Sequence, residues 1–190
     1  MKKKIWIPIV VIIAVIVLIV AWGVSTRNGF VDKQETAQKA QSQISTYLQR
    51  RADLIPNFVS TVKGYTDYEQ STLTAVTEAR AKVGAAQTPA EQSAASGELD
   101  RAVSVWVNAV TEAYPELKAD KSFTALQDEL AGSENRIATA RKDYNDAAKE
   151  YNVAVRRFPA SIIASISGFD KMDYFENTAE SNSVPQVSFD

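Results

Sequence analysis

From Ile5 to Val24 the chain runs IWIPIVVIIAVIVLIVAWGV without a charged side chain. A run of about twenty apolar residues is long enough to cross a hydrocarbon core of roughly 30 Å as a helix. The polar remainder then reads as a water-facing domain tied to a lipid bilayer through residues 5–24. Trp6 and Trp22 stand sixteen residues apart, about 24 Å along a helix. That spacing puts an indole near each membrane interface, so Ile5, Trp6, Trp22 and Val24 mark the limits of the anchor. Pro8 falls in the first turns of this helix, where its missing N–H costs little. The competing reading is a cleavable secretory signal. It fits less well, because a signal's apolar core is shorter, about 7–15 residues, and ends in a small-x-small site. Here Ala21-Trp22-Gly23 sets a bulky ring at that place, and the absence of cysteine excludes lipid acylation.

Lys2, Lys3 and Lys4 cluster ahead of the span, whereas Arg27, Lys33 and Lys39 beyond it are interleaved with Asp32 and Glu35. Positive residues concentrate on the cytoplasmic side. The expected topology is therefore a cytoplasmic N-terminus and an extracytoplasmic domain, with the opposite orientation left open. The span has no GxxxG face to drive dimerisation within the membrane. Setting aside the three lysines ahead of it leaves 18 basic and 23 acidic residues, a net charge of −5. A mildly acidic domain without a basic stripe is a poor partner for nucleic acid. Its size is that of one domain able to bury a core.

Periodicity predicts an all-α architecture: a transmembrane helix, then an antiparallel bundle of three long helices and a short C-terminal helix. The first stripe runs Ile44, Leu48, Arg51, Ile55, Phe58, Val62, Tyr65, Glu69, Thr72, Val76, Ala79 and Val83. Its steps alternate 4 and 3, the seam of one long packed helix. A second stripe is Leu99, Val103, Trp106, Val110 and Ala113. The third begins at Phe123, passes Leu130, Ile137, Tyr144 and Tyr151, and ends at Val155 and Phe158. Gly84 to Pro89 separates the first helix from the second, with Thr88 as N-cap ahead of Pro89. Pro115 and Pro159 end the second and third. Pro56 lies inside the first stripe, where its ring opposes the carbonyl of Ala52. Because the stripe stays in phase across it, a kink rather than a break is expected. The resulting divisions are a basic flank 1–4, a span 5–24, a helical stalk 25–43, a bundle 44–176 and a mobile tail 177–190.

Arg51 and Glu69 occupy seam positions about 27 Å apart on a straight helix, so each needs a partner from elsewhere. Glu134, Arg136, Arg141 and Asn145 on the third helix are the candidates. Two roles follow: a buried network that fixes register, or a polar pocket for a ligand. Catalysis has little to work with. The chain contains neither histidine nor cysteine, which removes the usual triads, zinc sites and Glu-x-x-His di-iron motifs. Surface carboxylates such as Asp67 and Glu78 are read as solvated, and no metal or cofactor is expected.

Several segments carry a family resemblance. Leu48 to Glu69 reads LQRRADLIPNFVSTVKGYTDYE, followed by EAYPELKA from Glu112, LQDEL from Leu126 and ENRIATARKDYNDAAKEYN from Glu134. Phe158-Pro159, Gly168-Phe169 and Tyr174-Phe175-Glu176 close the series. In order and spacing these blocks closely resemble the LemA family. The chain departs from the family pattern at Arg27-Asn28-Gly29-Phe30-Val31, where members commonly show Tyr-Asn-x-Leu-Val, and at Gln41, near which members often carry a Trp. The resemblance implies a membrane-anchored helical bundle in bacteria, and it transfers no catalytic residues, since the family has no established activity.

The expected function is a membrane-tethered interaction or scaffold protein of the bacterial envelope, binding the bilayer and other envelope proteins. Phe169, Tyr174 and Phe175 form one candidate partner surface, with docking onto the bundle as the alternative. Val187 and Phe189 in the tail form a second, suited to adding a strand to a partner's sheet edge. A sensor with a polar site near Arg51, Glu69 and Arg141 is the second functional reading. The Tyr144-Asn145 pair recurs as Tyr151-Asn152, and is read as packed rings with polar tips at the rim.

Overall fold

A computed structural model describes residues 3–63 and 70–176, with side chains from Trp6 to Lys63 and from Leu73 to Glu176. The expectations for the side chains of Ile5 and Glu69, and for the tail residues Val187 and Phe189, lie outside the described residues. Every described regular element is helical: α1 (Lys3–Lys63), α2 (Gln70–Ala85), α3 (Pro89–Ala113), a 3-10 turn (Pro115–Ala119), α4 (Lys121–Arg156) and α5 (Ala160–Ser167). α1 is continuous from the apolar run into the first seam. Its apolar N-terminal part is the one described stretch long and apolar enough to cross a membrane, with an 18-residue window of mean hydropathy 3.2.

The residues form two compact units, Met1–Lys39 with Asn145–Asp173, and Ala40–Tyr144 with Tyr174–Asp190. In the second unit the seam residues Ile44, Leu48, Ile55, Phe58 and Val62 are buried, as the periodicity predicts. Phe58 stacks on Phe123 of α4 at 4.9 Å between centroids and meets Trp106 of α3 edge-on at 5.2 Å. These three rings give the bundle its centre. α3 runs alongside α1 in the same direction, since Ser45 meets Gln92 and Phe58 meets Trp106. α4 runs the opposite way, since Phe58 meets Phe123 while Arg50 meets Glu129.

The first seam does not lie on one long helix. Val76, Ala79 and Val83 are buried, but on α2, which packs back against α1. Arg80 Nε donates to the carbonyl of Ala52 at 2.8 Å, and Gln41 Nε2 to that of Gln87 at 3.4 Å. On a single straight helix Arg80 would stand about 42 Å beyond Ala52. The heptad phase of two successive helices is the same, which is why the pattern alone reads as one. Pro56 explains the first of these bonds. Lacking an N–H, it leaves the Ala52 carbonyl without its intrahelical donor, and that carbonyl sits on a buried residue. The Arg80 side chain supplies the missing hydrogen bond from α2, and α1 passes through Pro56 unbroken.

The helix ends follow their sequence signals. Thr88 caps α3 with a reciprocal box: its Oγ1 accepts from Glu91 N at 3.2 Å, and Glu91 Oε2 accepts from Thr88 N at 3.1 Å. The backbone N–H groups of Gln87 and Thr88 hold the Glu91 carboxyl below the usual carboxylate range. Asp120 Oδ1 accepts from Phe123 N at 2.8 Å and opens α4. Gly168, at φ 71°, takes the left-handed position that closes α5, which favours glycine over any residue with a Cβ. Two seam assignments need correction. Ala113 is exposed because α3 ends there. Phe158 is 78% exposed because α4 stops at Arg156, so the ring leaves the helical phase before its turn to face inward.

The Pro56–Ala52–Arg80 arrangement makes a quantitative prediction. Arg80→Met should destabilise the full chain in detergent by about 1.5–3 kcal/mol, the usual worth of a charge-assisted hydrogen bond to a part-buried acceptor. In a Pro56→Ala background the restored N–H satisfies Ala52, so the same change should cost less than half as much. A double-mutant cycle of thermal or denaturant unfolding reads the difference, and additive costs would disprove the link between Pro56 and Arg80.

Candidate functional site

Arg51 follows Leu48 on the buried face of α1, so a guanidinium lies where the seam calls for an apolar side chain; the residue is 6% exposed. Its Nη1 donates to Glu134 Oε2 of α4 at 2.6 Å, and its Nη2 makes an ion pair with Asp100 of α3. One planar group thereby ties three helices together. Burial is the main influence on the Glu134 carboxyl and raises its pKa, and neighbouring Asp100 raises it further; Arg51 and Arg141 act in the opposite sense. Arg141, two turns further along α4, is affected first by burial, which lowers its pKa, while Glu134 and Asp100 support its charge. Its Cζ lies 5.8 Å from the centroid of Phe175, within cation–π range, and its Nε and Nη2 are buried with no hydrogen-bond partner among the described residues.

Of the residues singled out from sequence, the structure brings Arg51, Glu134 and Arg141 into one cluster. Asn145 is half-buried one turn beyond Arg141. Arg136 does not join them. Two residues past Glu134 it points to a different side of α4, where its Nη2 donates to Glu129 Oε1 at 3.0 Å and Ser133 Oγ at 3.2 Å. Arg50 of α1 donates to the same Glu129 oxygen at 2.9 Å, forming a second, more exposed network. Asp100 and Glu129 are not among the residues the sequence pattern singles out, although Asp100 directly follows the seam residue Leu99.

The C-terminal aromatics also need correction as a partner surface. In the second unit Phe175 is 5% exposed, packed edge-on against Tyr144 at 5.1 Å, and Ser93 Oγ donates to the Glu176 carbonyl at 3.1 Å. In the first unit Phe169 packs against Phe30 at 5.4 Å with Arg27 over its ring. Both rings are drawn inward because burying an aromatic side chain is worth more than leaving it in water. Tyr174, between them, stays exposed. The second Tyr-Asn pair has a defined task in the first unit. Tyr151 Oη donates to the Asp170 carbonyl at 2.8 Å, and the buried Asn152 amide exchanges two 2.8 Å hydrogen bonds with the Met172 backbone. It acts as a surrogate strand that pins the chain after α5.

Among the described residues, these features define an all-helical protein with one membrane-span candidate and a bundle whose most buried charge, Arg51, is answered across helices. The LemA family model matches residues 40–189, and the chain belongs to the LemA family. Among similar proteins, Magnetosome protein MamQ 2 of Paramagnetospirillum magneticum (strain ATCC 700264 / AMB-1) is 26% identical, covering 78% of this chain and 64% of that protein. Magnetosome protein MamQ of Magnetospirillum gryphiswaldense (strain DSM 6361 / JCM 21280 / NBRC 15271 / MSR-1) is 25% identical with the same coverage. Protein LemA of Metamycoplasma hominis (strain ATCC 23114 / DSM 25592 / NBRC 14850 / NCTC 10111 / PG21) is 26% identical over 74% of this chain and 64% of its own length. The matched part thus spans just under two thirds of these relatives.

Arg51→Met should destabilise the chain by about 2–4 kcal/mol, because it leaves two carboxylates facing each other without their cation. Glu134 supplies a pH signature. Its folded pKa lies above the ordinary value of 4.5, so the folded state binds the extra proton between that value and the raised one. The stability penalty of the charged form is therefore full above the raised pKa and disappears below 4.5. Unfolding measured against pH should show wild type gaining stability relative to Glu134→Gln as pH falls through this window. A difference that does not vary with pH would disprove the assignment.

Proposed function

We propose that this protein is a membrane-tethered helical bundle that works by binding other proteins of the bacterial envelope rather than by catalysis. The observation that carries the reading is the use of Arg51. The most buried charge in the described bundle is spent on Asp100 and Glu134, in a tie between helices. Groups that would recognise or transform a substrate inside the bundle are thereby engaged in holding it together. A sequence with no histidine and no cysteine supports the same reading. Recognition then falls to the outer helical surfaces, such as the open, polar face of α1 formed by Ser45, Gln49, Arg50, Asp53 and Asn57. The lysines at positions 2–4 support a cytoplasmic N-terminus with the bundle outside.

One observation favours a second reading, a sensor for an anionic ligand: beside the ring of Phe175, Arg141 has two buried nitrogens with no hydrogen-bond partner among the described residues. The two readings separate experimentally. A photo-crosslinking amino acid at Gln49 or Asn57 in the full chain, in its native membrane, should trap a discrete protein species. Trapping should survive Arg141→Met. A single cysteine at Gln49 should react with an impermeant maleimide in intact cells. Failure to trap any protein from these exposed positions, together with loss of the cellular phenotype in Arg141→Met, would replace the interaction reading with the sensor.

A further inference from the structure

α5 is the most apolar helix outside the span, and its two sides differ sharply. Ala160, Ile163 and Ala164 face Phe30, Tyr151 and Val155 in the core of the first unit. On the other side Ile162 and Ile166, four residues apart, are 51% and 79% exposed, and Phe158, two residues ahead of the helix, is 78% exposed. Three large apolar side chains on nine residues of chain, all exposed, are not what a water-facing helix end carries.

Their position within the unit identifies what covers them. Ile163 Cδ1 lies 3.5 Å from the place a Cβ on Gly23 would occupy, so α5 rests against α1 at the next-to-last residue of the uncharged run. Trp22, the residue placed at the membrane interface by its amphipathic ring, is the immediate neighbour. Phe169, just past α5, packs on Phe30 and under Arg27. α5 therefore lies at the level where the span leaves hydrocarbon, between Trp22 and Arg27, about 7.5 Å along α1. Interfacial helices bury their apolar face about 5–10 Å into the boundary of headgroups and acyl chains. The flanking charge fits that depth: Arg156 and Arg157 immediately precede Phe158 and are exposed, as is Arg27. Cations placed there meet anionic headgroups, and their long stems allow the charge to reach water.

We infer that Phe158 and α5 form a second membrane contact, an interfacial foot in which Phe158 and the Ile162–Ile166 side of the helix enter the lipid bilayer beside the transmembrane helix. The inference rests on the apolar run of α1 being a membrane span. A soluble protein covering this face would itself have to occupy the headgroup layer. The foot has a mechanical consequence: a single helix can rotate and tilt freely about its axis, whereas two contacts with the bilayer hold the first unit in one orientation to the membrane plane.

The chain has no native cysteine, so single labels report cleanly. The environment-sensitive fluorophore NBD would be attached at Ile162→Cys, Ile166→Cys, Val15→Cys and Asp143→Cys in the full chain. Each would be reconstituted into phosphatidylcholine–phosphatidylglycerol vesicles, with helical content checked by circular dichroism. The expected result is strong quenching at 162 and 166 by a nitroxide on the upper acyl chain, with little quenching by aqueous iodide, and the reverse pattern at 143. Labels at 162 and 166 that iodide quenches as readily as at 143 would overturn the foot while quenching of 15 by lipid left the span in place. Labels shielded from both quenchers, in proportion to protein density, would assign the face to a second copy and equally overturn it. Absence of lipid quenching at 15 would remove the span itself.

Discussion

A guanidinium in an apolar seam sets the terms for the bundle of the second unit. Removing an arginine from water costs several kcal/mol, and its pairing with carboxylates in the interior roughly offsets that cost without a large surplus. What Arg51 contributes is geometry. Its two terminal nitrogens reach Glu134 and Asp100 at once, and a slip of one residue along α3 or α4 would strand at least one charge. The ring cluster of Phe58, Trp106 and Phe123 lies two turns further along α1 and agrees with that register. Apolar packing supplies most of the stabilisation, and the ion pairs select one packing among several of similar burial.

Pro56 shows the same division between local and tertiary causes. Within α1 it is a defect, because it removes a donor and presses on the preceding turn. Arg80 turns the defect into a specific attachment point, since the carbonyl it engages is free only because proline follows four residues later. A regular helix has no such unpaired acceptor in mid-course. The proline thereby gives α2 a polar address on α1 that apolar contacts of Val76 and Ala79 alone would not define.

Those features also explain what could be read from the sequence. The seams were legible because burial imposes a 3.6-residue period, and Ile44 to Val62, Leu99 to Val110 and Phe123 to Val155 are buried almost as the stripes run. The division of the first stripe between α1 and α2 was not, because heptad phase is blind to chain reversal. Phe158 looked like the last member of its stripe until α4 ended two residues short of it. Arg51 is recognisable from its seam position as needing partners, and Glu134 is one of the candidates on the third stripe. Asp100 is not legible as one, because a residue beside a seam looks the same in sequence whether it faces solvent or a buried cation. Nothing in the spacing of Phe169, Tyr174 and Phe175 says which rings turn inward; that depends on Phe30 and Tyr144, which are remote in sequence.

The segments that carry the family likeness can be followed residue by residue into this architecture, and they converge on support. In LQRRADLIPNF, Leu48, Ile55 and Phe58 fill the core, Arg51 joins three helices, Ala52 receives Arg80, and Pro56 makes that bond possible. In ENRIATARKDYNDAAKEYN, Glu134 answers Arg51, Arg136 answers Glu129, Tyr144 holds Phe175, and Tyr151 with Asn152 holds the chain after α5. A signature built from such residues transmits a scaffold. It constrains where helices meet while leaving the outer faces free to diverge, because surface substitutions away from such features change stability by only about 0.5 kcal/mol. The exposed faces of α1, such as Ser45, Gln49 and Asn57, take no part in those ties, so they can change without loosening the framework that Arg51, Pro56 and Asn152 hold.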